Sequence, residues 1–356
     1  MVRFEVWGKE FEMSIKDVAR VANVSVGTVS HYLNGSKGVS SDKAQKIAKA
    51  VAKLGYRVKT RRPGPKTSRR VGVKTGAVML LALTEFTPDR LHKMPVLPEL
   101  FGGIQDFLFN HGMTFILEQC SPSKPVPEML DRRFCDGVIV MSIGPEFKID
   151  PKVLEKLNGI PFVQCLRRSA YINLNADLIS YDNDMIGGMA AKYLLGCGHK
   201  RVVYFNSINE HTPYLVRGET FVKACHDYGM KVDVLETNFV KDDMSVADYG
   251  SLAESFMRLK GNPAGAFFCA DNCMAGVGIA LGKLGYDISR LDMIGCNCEE
   301  QFLDLFVKRP ASIDIRIADI GRASAERLLS RINGMTAGKA GEVVLEPKIV
   351  EGKGRK

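Results

Sequence analysis

Apolar positions near the start of the chain recur with helical spacing. Ile15, Val18, Ala19 and Ala22 stand at i, i+3, i+4 and i+7, which is the pattern of one buried helix face. Ser14, directly before this run, is a residue type favoured at helix N-caps. The pattern predicts a first short helix that ends at a turn around residues 23–24.

A second short helix is predicted directly after this turn. Ser25 is a suitable N-cap, and Val26, Val29 and Leu33 are expected on the buried side. Residues 34–35, Asn-Gly, tolerate the left-handed conformation that ends a helix.

A third helix is predicted from residue 40 or 41 to the glycine at position 55. Its expected inward-facing residues are Ile47, Ala48, Val51, Ala52 and Leu54. Three short helices with a tight turn between the first two are typical of a helix-turn-helix module. The alternative is a three-helix module with another role.

From residue 76 onward, short apolar runs alternate with helical patterns. The predicted strands are 78–83, 113–117, 137–141, 162–165, 202–205, 231–235, 266–269 and 293–295. The predicted helices are 100–111, 185–195, 217–228, 246–260 and 274–284. This alternation is typical of parallel sheets covered by helices on both faces. The predicted fold is therefore an all-α head followed by an α/β core of two doubly wound lobes.

Charge is segregated along the chain. Residues 1–70 contain 16 Lys and Arg against 5 Asp and Glu, a net charge of +11, while the whole chain carries +9. The remainder therefore sums to −2, and a polyanionic partner is expected for the head alone. The apolar run at residues 77–83 is too short to cross a bilayer. No secretory signal pattern opens the sequence, and its nine cysteines are scattered, so a cytoplasmic protein without membrane association is expected.

Residues 14–57 resemble the DNA-binding head of the LacI/GalR family of bacterial repressors. The elements I-x-D-V-A, V-S-x-x-T-V-S, L-N and L-G-Y-R occur in the family's order and spacing. The resemblance implies that double-stranded operator DNA is the partner and that the protein is associated with the nucleoid. It also implies a set of DNA-contacting residues: Ser25, Val26, Gly27, Thr28, Ser30, His31, Asn34, Ser40 and Arg57.

Within that set, Val26, Gly27 and His31 match base-contacting positions. The positions that hold backbone phosphates are matched by Thr28, Ser30, Asn34 and Ser40. The family usually has Arg where this chain has His31, and histidine has a shorter reach and loses its charge above pH ~6.5. The alternative for His31 is a solvated residue that contacts no base.

Residues 57–70 contain seven basic residues and no acidic one. Members of the LacI/GalR family usually carry a leucine-bearing hinge helix here, but residues 63–65, Pro-Gly-Pro, disfavour a helix. The sequence predicts an extended arm in which Arg61, Arg62 and Lys66 lie in an A·T-rich minor groove. The alternative is a flexible tether that adds only non-specific attraction to phosphates.

The core also resembles this family, through the segments at residues 182–205 and 266–285 above all. The resemblance implies a core similar to periplasmic sugar-binding proteins, with the chain crossing between lobes near residues 183, 312 and 340. The expected organisation is an extension (1–12), a helix-turn-helix domain (13–58), a basic linker (59–75) and a core (76–356). Lobe 1 then spans about 76–182 and 312–340, and lobe 2 about 183–311 and 341–356.

Four residues are candidates for effector contact in the cleft between the lobes: Tyr181, Arg217, Asp271 and Asn297. Arg217 is expected to pair with a ligand hydroxyl or carboxylate, and Tyr181 to stack on the ligand. Their alternatives are a surface salt bridge for Arg217, a core aromatic for Tyr181 and a helix cap for Asp271. Asn297 stands where the family often has Asp, which weakens the usual grip on sugar hydroxyls.

The sequence as a whole predicts a dimeric regulator, most simply a repressor, that binds a pseudo-palindromic operator and responds to a small, sugar-like effector. One alternative is an architectural or effector-independent DNA-binding protein with a vestigial cleft. An enzyme is disfavoured because no catalytic triad or paired carboxylates stand out. No cofactor and no metal site are predicted, and the cysteines around residues 269–298 are interpreted as small core residues.

Overall fold

A computed structural model describes residues 14–33, 39–54, 72–144, 146–209, 211–237, 249–335 and 340–352. The chain divides into two compact units, Met1–Thr67 and Ser68–Lys356. No helix in the described ranges is both long enough and apolar enough to cross a membrane.

The first unit contains α1 (Ile15–Ala22), α2 (Val26–Leu33) and α3 (Ser41–Leu54). The start of α1 is fixed by Asp17, whose carboxylate accepts hydrogen bonds from the backbone N–H and the hydroxyl of Ser14, at 3.0 and 2.7 Å. Asn23 ends α1 with a φ of 50°, in the left-handed conformation that the tight turn requires. The predicted helix, cap and turn therefore occur at these residues.

The three helices enclose a small core of their own. Its fully or nearly fully buried residues are Val18, Ala19, Ala22, Val29, Ile47 and Ala50. Three predicted inward-facing residues are wrong: Val26 is 41% exposed, and Ala48 and Ala52 are exposed. The face of α3 runs through Ile47 and Ala50 because residues three apart share a helix face, and Ala48 and Ala52 lie to its side.

The second unit is built on two six-stranded sheets. In chain order the described strands are β1 (Ala77–Leu83), β2 (Thr114–Cys120), β3 (Gly137–Ser142), β4 (Phe162–Leu166), β5 (Asp177–Tyr181), β6 (Arg201–Asn206), β7 (Lys231–Glu236), β8 (Gly265–Phe268), β9 (Asp292–Cys296), β10 (Ala311–Asp314), β11 (Glu342–Leu345) and β12 (Lys348–Val350). The strand orders are β11-β5-β4-β3-β1-β2 and β12-β10-β9-β8-β6-β7. All pairs are parallel except β10 with β12. The predicted pair of doubly wound lobes is therefore confirmed.

Helices connect the parallel strands. They are α4 (Pro88–His92), α5 (Leu97–Asn110), α6 (Pro151–Asn158), α7 (Asp184–Gly196), α8 (Thr212–Asp227), α9 (Tyr249–Met257), α10 (Asp271–Lys283), α11 (Glu300–Leu303) and α12 (Ile317–Ile332). The central strands β1 and β3 are buried along their whole length. This explains their continuous apolar runs, because strands covered on both faces show no alternation.

The chain crosses between the two sheets after β5, after β10 and after β11. The last two crossings lie later than residues 312 and 340, where the sequence placed them. Ala311–Asp314 pairs with β9 and so belongs to the second lobe, and Glu342–Leu345 pairs with β5 and so belongs to the first. Both segments are short edge or near-edge strands without a long apolar run, so the sequence pattern did not mark them.

A buried carboxylate fastens α12 to the first sheet. Asp177 in β5 accepts hydrogen bonds from Arg327, at 2.9 Å, from Arg331, and from the backbone N–H of Gly341, at 2.7 Å. Burial raises the pKa of Asp177, but these hydrogen bonds outweigh it and hold the pKa below its usual range. The ionised carboxylate thus joins β5, α12 and the chain entering β11.

Candidate functional site

The exposed side of α2 carries the residues that the sequence assigned to DNA. Ser25, Val26, Gly27 and His31 are exposed, whereas Val29 is completely buried beneath them. Gly27 and His31 are four residues apart and therefore share one helix face. Thr28 and Ser30 are half-buried, and Ser40, just before α3, is exposed.

The N-terminus of α2 is capped by Ser25. Its Oγ accepts a hydrogen bond from the backbone N–H of Thr28 at 3.2 Å and lies 2.8 Å from Thr28 Oγ1. Ser25, Val26 and Gly27 are all small, so the helix start can approach another surface closely. His31 is the long side chain on this face. Asn34, Arg57, Arg61, Arg62 and Lys66 lie outside the described residues, and their assigned contacts stay predictions.

A cavity of about 130 Å³ lies between the two lobes of the core. The first lobe contributes the ends of β3, β4 and β5, and the second contributes the start of α8 and the loop after β9. Three of the four predicted effector residues, Tyr181, Arg217 and Asn297, line this cavity. The carboxyl ends of parallel strands meet here, which is where α/β folds bind ligands.

Arg217 is the most completely buried large polar residue of the cleft, at 1% exposure. Its Nε donates to Asn183 Oδ1 at 3.0 Å, its Nη2 to the Tyr181 hydroxyl at 3.3 Å, and its Nη1 to the Cys269 carbonyl. The guanidinium also lies 5.5 Å from the ring centre of Tyr214. Arg217 is thus held in one orientation by both lobes, and the surface salt bridge considered from the sequence is not its role.

Asp271 does not line the cavity, which corrects its assignment as an effector contact. It is fully buried, and its carboxyl oxygens accept from Ser312 Oγ at 2.9 Å and from the backbone N–H of Glu299 at 2.8 Å. Burial, followed by the nearby charge of Glu299, raises the pKa of Asp271 well above its usual value. Asp271 therefore joins α10 to β10 and to the loop after β9, beneath the cavity.

Glu299 lines the cavity and was not singled out from the sequence. Its carboxyl group accepts from Asn297 Nδ2 at 3.2 Å and from the backbone N–H of Asn272 at 3.3 Å. Burial raises its pKa to about 7, although Arg217 acts in the opposite direction, and Glu99 adds to the increase. The neutral, protonated form of Glu299 is therefore favoured more than that of an ordinary glutamate.

Three further lining residues were also missed: Ser142, Arg167 and His211. Ser142 ends β3, and Arg167 directly follows β4. The general position of ligand sites at strand carboxyl ends was a signal for both. His211 precedes the first residue of α8, which the sequence pattern placed five residues too late.

Strained backbone borders the same cleft. Leu166, Asn297, Cys298 and Arg316 have φ values of 68°, 99°, 60° and 60°. Residues other than glycine held at positive φ cost roughly 1–3 kcal/mol each and cluster at ligand sites and hinges. Leu166 and Asn297 line the cavity itself, and Arg316 lies on the second crossing between lobes.

A larger cavity, of about 610 Å³, lies in the second lobe. It is bordered by α10 and the segment after α11, and none of the predicted effector residues lines it. Its rim includes Ile279, Leu305 and Val307, which are 55%, 62% and 89% exposed. Among the described residues no cluster of His, Cys, Asp and Glu could hold a metal ion. Cys269, Cys273 and Cys296 are buried in the second lobe, and Cys298 is half-buried.

Two family profiles match the chain. One described as "Bacterial regulatory proteins, lacI family" matches residues 14–58, and one described as "Periplasmic binding protein-like domain" matches residues 191–353.

Similar proteins are found along nearly the whole length. The HTH-type transcriptional regulator MalR of Streptomyces coelicolor is 28% identical, with 94% of each chain covered. The HTH-type transcriptional repressor PurR of Mannheimia succiniciproducens is 26% identical over 77% of this chain and 78% of its own. The fold matches a transcriptional regulator CelR–cellobiose complex with a TM-score of 0.62 at 21% identity, over 96% of this chain and 100% of that one.

Proposed function

Because the chain belongs to the lacI family of bacterial regulatory proteins, we propose that it is a repressor that binds a pseudo-palindromic operator as a dimer. A small polar effector, sugar-like in size and hydroxyl content, is proposed to bind between the lobes and alter operator affinity. The observation that carries the proposal is α2, which exposes Ser25, Val26, Gly27 and His31 on one surface above a buried Val29.

This surface suits the major groove for two physical reasons. The small residues at the start of α2 let its backbone approach DNA, and an apolar Val26 suits contact with a thymine methyl group. His31 then reaches one base edge as a hydrogen-bond donor. Arg61, Arg62 and Lys66 are proposed to follow the minor groove between half-sites, which favours operators with A·T-rich centres.

A second copy of the chain is the proposed partner in the dimer, because a two-fold operator requires two heads. The exposed apolar side chains of Ile279, Leu305 and Val307 are candidates for the contact. Replacement of Leu305 and Val307 by glutamate is expected to give a monomer in sedimentation equilibrium. It is also expected to lose cooperative binding to the full operator while single half-site binding persists.

The primary experiment is selection of binding sites from a random DNA pool by the full-length protein. We expect two-fold related half-sites around an A·T-rich centre. His31→Ala should relax preference at one base pair of each half-site, by about 1–3 kcal/mol, without changing non-specific binding. Selected sites that keep the same preference with His31→Ala would contradict its base contact.

Two valines give a matched control for the stability of the head. Val26→Ala changes an exposed residue and should alter operator affinity with little effect on thermal unfolding. Val29→Ala removes a fully buried side chain of the same type and should destabilise the head by about 2 kcal/mol. If no ligand changes operator affinity in such assays, the effector-independent alternative is favoured instead.

A further inference from the structure

Two guanidinium groups, one from each lobe, line the interlobe cavity without a carboxylate partner among the described residues. Arg167 Nε donates to the Ser142 carbonyl at 3.2 Å, and its Nη2 donates to the Gly144 carbonyl. Arg217 donates to Asn183, Tyr181 and the Cys269 carbonyl. All of these acceptors are neutral, so neither positive charge is balanced by an ion pair.

Among the described residues, no acidic group forms an ion pair with either arginine. Glu146, close to Arg167, accepts the backbone N–H of Ala170 at 3.2 Å. Burial raises the pKa values of Asp271 and Glu299, which favours their neutral forms. Arg217 is buried and Arg167 is half-buried, and a buried charge without an ion-pair partner is energetically costly, so this cavity favours an anion.

His211 lies close to both arginines of the cavity. Its pKa falls to about 3, first because the ring is buried and then because of the charges of Arg217 and Arg167. The charges of both arginines therefore reach the same side chain on the cavity wall. His211 is held neutral there, and one ring nitrogen can accept or donate a hydrogen bond.

Two polar atoms on the cavity wall also lack partners. Ser142 Oγ, on a residue only 5% exposed, and His211 Nδ1 have no hydrogen bond among the described residues. They come from opposite lobes, and both residues line the cavity. Buried polar side-chain atoms are bonded in the large majority of cases, so these two indicate a polar ligand between the lobes.

We propose that the effector is a small acid, carrying a carboxylate or a phosphate, whose anionic group lies between Arg167 and Arg217 and whose polar body is bound by Ser142 and His211. This inference rests on the effector-binding role proposed above. A guanidinium has five N–H donors, and Arg217 uses three of them internally, which leaves two for an oxyanion.

The cavity volume limits the size of this acid. At about 130 Å³ it is slightly smaller than a cavity of about 150 Å³ that binds benzene. The volume therefore favours a three- or four-carbon acid, or a phosphate group on a body of that size, and a disaccharide does not fit.

The test compares acids with neutral molecules of matched shape. Thermal unfolding of the full chain is measured at pH 6.5 and constant ionic strength with lactate against lactamide, glycerol 3-phosphate against glycerol, and inorganic phosphate. We expect a saturable rise in Tm with at least one acid and none with its neutral counterpart. Comparison of the carboxylic acid with the phosphate compounds identifies which kind of anion is bound.

Three variants connect the response to the cavity. Arg167→Gln should weaken binding of the stabilising acid about 10- to 100-fold, whereas Arg168→Gln is the matched control outside the cavity. Within the described part of the chain, Arg168 donates only to the Ala176 carbonyl and does not line the cavity, so its replacement should leave the affinity unchanged. Ser142→Ala removes a hydroxyl with no internal partner, so the fold should be retained while affinity falls.

The inference is overturned if no acid in the panel stabilises the protein up to 10-fold above cellular metabolite levels, on the order of 10 mM. It is also overturned if neutral molecules stabilise equally, or if Arg167→Gln and Arg168→Gln respond alike. The regulator itself remains testable in each case, because operator binding is measured on the same samples without ligand.

Discussion

Two adjacent glycines in α7 give the sharpest test of how this core positions its cleft. A Cβ added at Gly187 would lie within 2.5 Å of Phe221 N, Thr220 Oγ1 and the Arg217 carbonyl oxygen, two of which are backbone atoms of α8. A Cβ added at Gly188 meets nothing within 4 Å. Both residues are inside the same helix, so alanine improves the helix propensity at each by about 1 kcal/mol.

Gly188→Ala should therefore stabilise the core by about 1 kcal/mol and raise its Tm by about 2 °C. Gly187→Ala gains the same propensity but forces α8 away, which costs about 3 kcal/mol, the upper end for overpacking, because backbone atoms cannot rotate aside. We expect a net loss of about 2 kcal/mol and a Tm lower by about 4 °C. Since α8 carries Arg217, ligand affinity should also fall in Gly187→Ala alone.

Thermal unfolding of the full chain, followed by circular dichroism, measures both variants in one series. Equal shifts of Tm with the same sign in the two variants would show that the expected clash with α8 does not occur, because the two positions differ in what their added methyl group meets. A normal ligand response in Gly187→Ala would show that α8 has not moved.

Three other predictions concern charged and hydroxyl groups of the core. Asp177→Asn should destabilise the core by about 3 kcal/mol in urea unfolding because it leaves Arg327 and Arg331 unpaired. Asp89→Asn, which breaks an exposed 2.7 Å pair with Lys93, should cost less than about 1 kcal/mol, and similar losses would contradict the role of burial. The folded pKa of Glu299 is raised to about 7, so its contribution to stability is complete below the unfolded pKa and is lost as pH rises through 7. The total loss in the free energy of unfolding is about 3 kcal/mol at most, and it should disappear in Glu299→Gln. Tyr181→Phe should keep the fold but loosen Arg217, and an unchanged ligand affinity in titration calorimetry would argue against that coupling.

The sequence predicted the elements whose pattern is local. The three short helices of the head follow from spacing, caps and turn residues within forty positions. The central strands of both sheets appear as continuous apolar runs because they are covered on both faces. The strands β5, β10, β11 and β12 were missed. β5 and β10 are largely buried but carry polar residues among the apolar ones, and β11 and β12 are short and partly exposed.

The cleft residues also include some that the sequence predicted and some that it missed. Tyr181, Arg217 and Asn297 were found through motif positions, but Asp271 proved to be a buried link between α10 and β10. No pattern along the chain joins Ser142, Arg167, His211 and Glu299, which lie up to 157 positions apart.

The basic head, the resemblance to the lacI family and the central strands of both sheets could thus be read from the sequence, because each depends on residues close together in the chain. The charge of the cleft depends on the three-dimensional arrangement. Two sheets and three crossings bring Arg167 and Arg217 to one small cavity, and burial there raises the pKa of the nearby carboxyl groups. Whether a buried charge is balanced depends on its neighbours in space, and those are set by the fold.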